Sequence, residues 1–441
     1  MRKRKKLSSF QVILLGFLGL ILIGTLLLML PAASKSGQAT PAGDALFTAT
    51  SAACVTGLIV RDTATYWSAF GQTVILVLIQ IGGLGVISMA VFIAMLSGRK
   101  ISLFQRTMMQ DSISAPQVGG IVRMTRFIFR CAVAIEAAGA LLLLPAFCRA
   151  YGARGIWPAV FHSVSAFCNA GFDVMGDKTG AFSSLTGFGS SVGVLLPVCL
   201  LIVIGGIGFL TWDDVATHKL RFKKYRMQSK VALAVSGLLI LLPAALFFFG
   251  EYGGHPTGER ICLSLFQSIT TRTAGFNTAD LTALTGAGQM LFIFLMLIGG
   301  SPGSTAGGMK TTTVAVLAAN AAAVFRKKKS ARLFGRRIED SVVKDAATLL
   351  VAYLALALTG AAVISMAEGL PVGTCLFETA SAVGTVGLTL GITPALGTLS
   401  RLILIFLMFF GRVGGLTLMY ATVSAREVEV SQLPVERISV G

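Results

Sequence analysis

Paired cysteines are missing from this chain. Its seven Cys residues, Cys54, Cys131, Cys148, Cys168, Cys199, Cys262 and Cys375, are scattered through apolar or loop-proximal sequence with no C-x-x-C anywhere, which argues against a disulfide framework and against a zinc site. Histidine is scarce too. His162, His218 and His255 have no carboxylate or Cys at ligand spacing, so they read as isolated polar side chains and no transition-metal centre is expected. Charge is the third shortage. Only 13% of the 441 residues are charged, 54% are hydrophobic and the mean hydropathy is +0.80, which excludes an ordinary water-soluble fold.

What is present instead is a series of long apolar runs, among them residues 10–30, 73–96, 231–249 and 399–410. A helix needs roughly 20 apolar residues to cross about 30 Å of hydrocarbon at about 1.5 Å per residue, so the longest of these read as spanning helices. The formal charge of +18 would suit a nucleic-acid binder, but the basic residues lie beside apolar runs and not among exposed aromatics. Residues 2–6, then Arg99, Lys100, Arg106, Arg123, Arg126 and Arg130, then residues 219–230, then residues 326–329 with Arg332, Arg336, Arg337 and Lys344, mark one side of a membrane. By the positive-inside rule that side is the cytoplasm. The opposite connections carry fewer, chiefly Lys35, Arg61, Arg149, Arg154, Lys178, Arg260 and Arg401. A multi-pass protein of the plasma or inner membrane with both termini cytoplasmic is expected. The basic start, the apolar run and residues 31–34 also have the outline of a secretory signal. The run exceeds the usual core of roughly 7–15 residues, and reads as a retained first helix.

Between the basic segments one order recurs: a long apolar helix, a short amphipathic stretch, a small-residue turn, a second long apolar helix. The chain is a fourfold repeat. Its turns are Cys54-Val55-Thr56-Gly57-Leu58, Cys168-Asn169-Ala170-Gly171-Phe172, Arg272-Thr273-Ala274-Gly275-Phe276 and Gly384-Thr385-Val386-Gly387-Leu388. Before each lies a segment too short to span, at residues 45–51, 160–165, 265–270 and 376–381. Phe47, Phe161 and Phe377 stand ten residues ahead of the turn glycine, and Phe266 stands nine ahead. The expected fold is an all-α membrane protein of four helix, re-entrant pore helix and loop, helix units around one pore, with eight spanning helices. Repeat 1 takes residues 1–98 and repeat 2, with a cytoplasmic linker, 99–228. Repeat 3, with a broken second helix, takes 229–338 and repeat 4 takes 339–424. Residues 425–441 form a cytoplasmic tail.

Each second helix also carries a glycine cluster, at Gly82-Gly83-Leu84-Gly85, Gly205-Gly206-Ile207-Gly208, Gly299-Gly300 and Gly411-Arg412-Val413-Gly414-Gly415. Close helix packing accounts for these. The turn glycines Gly57, Gly171, Gly275 and Gly387 differ, because they end non-spanning segments. Irregular backbone at membrane depth is tolerated only where it is buried in protein or lines a watery cavity. A desolvated alkali cation needs oxygen ligands in place of its hydration shell, and four loops can offer a ring of backbone carbonyls. Glycine tolerates the backbone angles that turn those carbonyls inward. Thr56, Thr273 and Thr385 can add hydroxyls and Asn169 an amide. The short helices would aim their C-terminal ends, each about half a negative charge, toward the ring, which favours a cation.

These four loops, ending Thr-Gly-Leu, Ala-Gly-Phe, Ala-Gly-Phe and Val-Gly-Leu, resemble the selectivity filters of the Trk/Ktr/HKT superfamily of potassium transporters. The resemblance covers nearly the whole chain and is nearer the shorter KtrB-like branch. It implies a potassium-translocating membrane subunit, frequently Na⁺-dependent, that assembles as a homodimer with one pore per protomer. Its cytosolic partner would be a nucleotide-binding ring of RCK-type fold (KtrA-like), for which residues 219–230 and 326–337 offer a docking surface or, equally, a contact with anionic lipid. The filter residues would be Val55, Thr56, Gly57, Asn169, Ala170, Gly171, Thr273, Ala274, Gly275, Thr385, Val386 and Gly387. No cofactor is expected beyond the transported K⁺, with Na⁺ as a coupling ion, and no catalytic residues.

The third repeat departs from the others at Gly299-Gly300-Ser301-Pro302-Gly303-Ser304-Thr305-Ala306-Gly307-Gly308-Met309-Lys310. Proline disfavours helix by about 3 kcal/mol and glycine by about 1 kcal/mol relative to alanine, so this segment should interrupt a membrane helix. It echoes a phosphate-binding loop, but Met309 displaces the Lys and no strand precedes it. The resemblance gives the loop the role of a gate beneath the filter, and gives Arg412 the role of a positive residue obstructing the path. Lys310 and Arg412 are both costly at membrane depth, and Lys310 could instead snorkel to the interface. Glu378, on the fourth short helix, could support the filter from behind, and Asp213 and Asp214 are expected to end a helix at the cytoplasmic surface. Competing readings are a coupled transporter of another solute, a potassium-binding subunit of a cation pump, and a membrane scaffold. Four same-sense repeats speak against the inverted halves common in coupled transporters.

Overall fold

The computed structural model describes residues 8–97, 101–113 and 119–422. The basic residues at 2–6, Arg99 and Lys100, and the tail at 425–441, lie outside the described residues. Four long unbroken helices, Ser9–Met29, Ile121–Tyr151, Met227–Gly250 and Asp340–Glu368, open the four repeats. The first is fixed at its start by a capping box in which Gln11 N donates to Ser8 Oγ and Ser8 N donates to Gln11 Oε1. In the most apolar window of each, only 33% of residues (28% in the fourth) are buried. The outward faces expose Leu22, Leu26, Leu141, Leu142, Leu241, Phe249, Val351 and Leu358, a surface that requires lipid.

Each long helix packs against the short helix that follows it: Ala42–Ala53, Ile156–Phe167, Thr257–Thr270 and Val372–Gly384. With 12, 12, 14 and 13 residues, none reaches across a bilayer. They form the centre of the molecule, where Phe47, Phe161, Phe266 and Phe377 are almost wholly buried. His162 sits in this interior as an ordinary packed side chain. Its Nδ1 is 2.7 Å from the Pro158 carbonyl and its ring stacks on Phe147.

The second helices overturn one expectation. Residues 73–96 read as one span and only the third repeat as interrupted, yet every second helix is broken. Ala69–Leu84 gives way to Val86–Leu96 through a 95° bend, and Val192–Gly206 to Phe209–His218 through 97°. Thr398–Val413 gives way to Gly415–Thr422, while Gly286–Leu297 and Thr311–Phe325 are separated by the long insertion. The three short breaks share one backbone conformation, at Gly85 (φ 88°, ψ 129°), Gly208 (φ 93°, ψ 141°) and Gly414 (φ 91°, ψ 131°). Only glycine adopts it without strain. In sequence such a residue looks the same as a packing glycine, which is why the breaks were not legible there.

Packing between repeats closes a circle. The second helix of repeat 1 lies on the short helix of repeat 2, that of repeat 2 on repeat 3, that of repeat 3 on repeat 4, and that of repeat 4 on repeat 1. On the outer side Asp44 accepts from Arg61 Nε and Arg401 Nη1, both at 2.8 Å, and so ties repeat 1 to repeat 4. Asp213 and Asp214 lie within the helix Phe209–His218, not at its end, and pair with Arg226. The basic link between repeats 3 and 4 forms a two-residue hairpin, Arg332–Leu333 against Arg336–Arg337.

Candidate ion path and gate

The C-termini of the four short helices run directly into the four loops, and each loop repeats one backbone rhythm. Val55, Asn169, Thr273 and Thr385 have positive φ (57°, 58°, 69°, 52°), and so do Gly57, Gly171, Gly275 and Gly387 (91°, 66°, 79°, 93°). Left-handed residues two apart, with Thr56, Ala170, Ala274 or Val386 between them, turn the chain without forming helix or strand.

The loops meet edge to edge. A Cβ added at Gly57 would lie 2.6 Å from the carbonyl oxygen of Ala170; one at Gly171, 2.7 Å from that of Ala274; one at Gly275, 2.2 Å from that of Val386; and one at Gly387, 2.1 Å from that of Thr56. Each glycine thus abuts the carbonyl of the next loop in the order 1, 2, 3, 4 and back to 1. This is a closed ring with no room for a Cβ at any of the four glycines, and its loops contain all twelve residues named from the sequence. The hydroxyls of Thr56, Thr273 and Thr385 are buried without a hydrogen-bond partner. Asn169 departs from expectation. With its amide nitrogen turned to the available acceptors it donates to Ile202 O (3.2 Å) and Ala166 O (3.0 Å), and anchors its loop to the wall.

A hydroxyl four residues after each marker phenylalanine holds each loop from behind. Ser51 Oγ accepts from Gly57 N (3.1 Å) and Ser381 Oγ from Gly387 N (3.0 Å), while Ser165 Oγ donates to Phe172 O (2.7 Å) and Thr270 Oγ1 to Phe276 O (2.6 Å). Sequence reasoning passed over this Phe-x3-Ser/Thr spacing, although it recurs in all four repeats. The Glu378 carboxylate accepts from Thr389 Oγ1, Leu390 N and Thr393 Oγ1, and so holds the segment that directly follows the fourth loop. The second loop has a support that sequence missed, in which Cys168 Sγ donates to Gln80 Oε1 and Gln80 Nε2 to Glu136 Oε2.

The glycine clusters serve both packing and bending. A Cβ at Gly82, Gly205 or Gly411 would strike the carbonyl of Ala53, Phe167 or Val383 at about 2.0–2.1 Å, so these glycines seat each second helix against the end of its own short helix.

Residues 299–310 form a compact, plug-shaped loop packed against the ring, Gly307 and Gly308 lying against Thr385 and Gly384. Gly299 N donates to Met309 O at 2.7 Å and Thr311 N to Gly300 O at 3.1 Å, pinching the base of the loop. Its rim is tied to repeat 2, where Ser301 N donates to Gly206 O (2.9 Å), Thr305 N to Gly205 O (3.2 Å), Thr305 Oγ1 to Phe167 O (3.0 Å), and Phe209 N to Gly303 O (2.6 Å). Gly308 N donates to Gly411 O of repeat 4 at 3.2 Å. A Cβ at Gly307 would fall 2.1 Å from Thr385 Oγ1, which puts the plug directly against the fourth loop. Lys310 folds back on the plug and donates from Nζ to Ala306 O (2.8 Å) and Gly307 O (3.3 Å).

Arg412 is the cross-brace. Its Nη1 donates to Thr305 O in the plug, and its Nη2 donates to Gly82 O and, at 2.8 Å, to Gly83 O in repeat 1. The linker helix Leu103–Ile113 reaches the same place, with Ile113 O 2.5 Å from where a Cβ at Gly303 would stand. A cavity of about 250 Å³ opens here, lined by Asp111, Ser304, Lys310 and Arg412 among others.

A family model for TrkH, described as a cation transport protein, matches residues 4–430. The chain belongs to the TrkH family. This TrkH-family chain is 41% identical to the potassium/sodium uptake protein NtpJ of Enterococcus hirae, over 100% of this chain and 99% of that one. It is 36% identical to the Ktr system potassium uptake protein B of Bacillus subtilis, over 93% and 92%. The potassium transporter TrkH from Vibrio parahaemolyticus superposes with a TM-score of 0.75 at 20% identity, over 96% of this chain and 86% of that one, a likeness of fold. TrkH-family membership makes the chain a multi-pass membrane transport protein and not an enzyme.

Proposed function

We propose that this chain is the pore-forming subunit of a potassium uptake system, K⁺ passing through the ring formed by residues 55–57, 169–171, 273–275 and 385–387. The observation that carries this reading is the closed circuit of glycine-to-carbonyl contacts. It leaves carbonyls and three unpartnered threonine hydroxyls as the oxygen ligands for a desolvated cation. The names of the relatives, potassium uptake in one and potassium/sodium uptake in the other, support K⁺ as cargo with Na⁺ as a coupling or accompanying ion.

Residues 299–310 close the path below the ring and Arg412 latches them shut, so opening requires that the plug leave both Gly205–Gly206 and Arg412. The basic segments 219–230 and 326–337 receive a cytosolic nucleotide-binding ring of RCK-type fold, and the chain works as a homodimer in the cell membrane with both termini cytoplasmic. ⁸⁶Rb⁺ uptake into proteoliposomes of purified protein, with K⁺, Na⁺ and choline as competitors, tests the reading. Uptake blocked by K⁺ is expected. No uptake, with cytosolic partner and nucleotide present, overturns it in favour of a coupled transporter of another solute.

A further inference from the structure

The residue just before the left-handed position of each loop is Cys54, Cys168, Arg272 or Gly384. Three are uncharged and the third loop alone carries a cation there. Arg272 is buried, with 7% of its surface exposed. Its guanidinium points to the long helix of its own repeat, where Nη2 donates to Ser236 Oγ at 2.9 Å and Nη1 reaches Ser236 O at 3.5 Å, while Nε has no partner. None of the ion pairs among the described residues includes it. A guanidinium does not give up its proton in a protein, so a full positive charge without a counter-ion is carried by the residue that directly precedes Thr273 of the ring.

The helix Thr257–Thr270 ends two residues before Arg272, whose backbone N still donates to Ile269 O of the last turn at 3.2 Å. Such a cation offsets the partial negative charge of a helix C-terminus. The other three short helices end at Ala53, Phe167 and Gly384, and the matching sequence positions Cys54, Cys168 and Gly384 are uncharged, so only the third loop has a cation built into its own chain at that place. An ion path works only where binding is favourable enough for the ion to enter and weak enough for it to leave.

We propose that Arg272 sets how tightly the ring holds a cation: it is a fixed internal charge that weakens binding at the third loop and so speeds release. The inference rests on the reading of the ring as the K⁺ path. Its test is the concentration dependence of ⁸⁶Rb⁺ uptake in proteoliposomes for wild type, R272Q, R272K and S236A. R272Q is expected to lower both the half-saturating concentration and the maximal rate at least threefold. R272K, which keeps the charge, stays closer to wild type, and S236A, which removes only the anchor, stays within twofold. An unchanged half-saturation in R272Q overturns the proposal, as does an equal shift in all three variants, which marks Arg272 as an anchor only. If R272Q inserts but carries no flux, thermal protection by K⁺ in detergent reports its affinity: the half-effective K⁺ concentration must fall, and a rise or no change overturns the proposal. Absence of uptake by the wild type is a failure of the K⁺-path reading, and is thereby distinguished from a failure of this one.

Discussion

Arg412 donates to the carbonyl of Gly83, 2.8 Å away and 329 residues earlier in the chain, while its other terminal nitrogen donates to Thr305 in the plug. One side chain therefore joins repeat 4 to repeat 1 and to the interrupted helix of repeat 3. Arg412→Ala removes all of these bonds and the positive charge together. Basal ⁸⁶Rb⁺ flux is expected to rise about tenfold, which corresponds to about 1.4 kcal/mol off the closed state, with Arg412→Lys intermediate because an ammonium lacks the planar fork that spans two acceptors. An unaltered rate in correctly inserted Arg412→Ala would remove the latch role.

Gly275 has no room for a larger residue, its added Cβ falling 2.2 Å from Val386 O. Gly275→Ser must displace that carbonyl, and the φ of 79° is itself strained for any residue with a Cβ. Competition assays should show the preference for K⁺ over Na⁺ falling about tenfold, a loss of about 1.4 kcal/mol of discrimination. Retained preference would mean that the ring is not where ions are chosen.

Deleting residues 303–306 should raise basal flux without changing ion preference, because it removes Thr305 and Gly303 from their partners in repeat 2 and leaves the ring untouched. Flux that stays at the wild-type level in the deletion variant speaks against a gate at this position.

The hydroxyls behind the loops make a stability prediction. Ser51→Ala and Ser381→Ala each leave a glycine N–H of the ring without its acceptor, at about 1–3 kcal/mol for a buried unsatisfied donor. Each should lower the melting temperature in detergent by several degrees and weaken thermal protection by K⁺, the pair more than either alone. A melting temperature equal to wild type in the double variant would deny these bonds a part in holding the ring.

Much of this architecture is written locally. Runs of Leu, Ile, Val and Phe long enough to cross hydrocarbon dictate helices, because an unsatisfied backbone group in lipid costs several kcal/mol. The recurrence of Phe and Gly at nearly fixed spacing marks four equivalent loops. The four ring glycines could be named from sequence because each ends a segment too short to span, and the interruption at residues 299–310 because Pro302 and its glycines cannot continue a helix.

What the tertiary structure alone decided is which distant groups share a space. Gly85, Gly208 and Gly414 break their helices while Gly82, Gly205 and Gly411 merely pack, a difference of backbone angle that composition does not carry. Asn169 lies against the carbonyls of Ile202 and Ala166, and Arg412 bridges repeats because their circle brought Gly83 and Thr305 within its reach. Sequence by itself determined the elements and the chemistry of the ring, through periodicity and backbone preference. Closure of the circle, the seat of the plug and the uncompensated charge at Arg272 follow from contacts between residues far apart in the chain, which only packing in three dimensions could set.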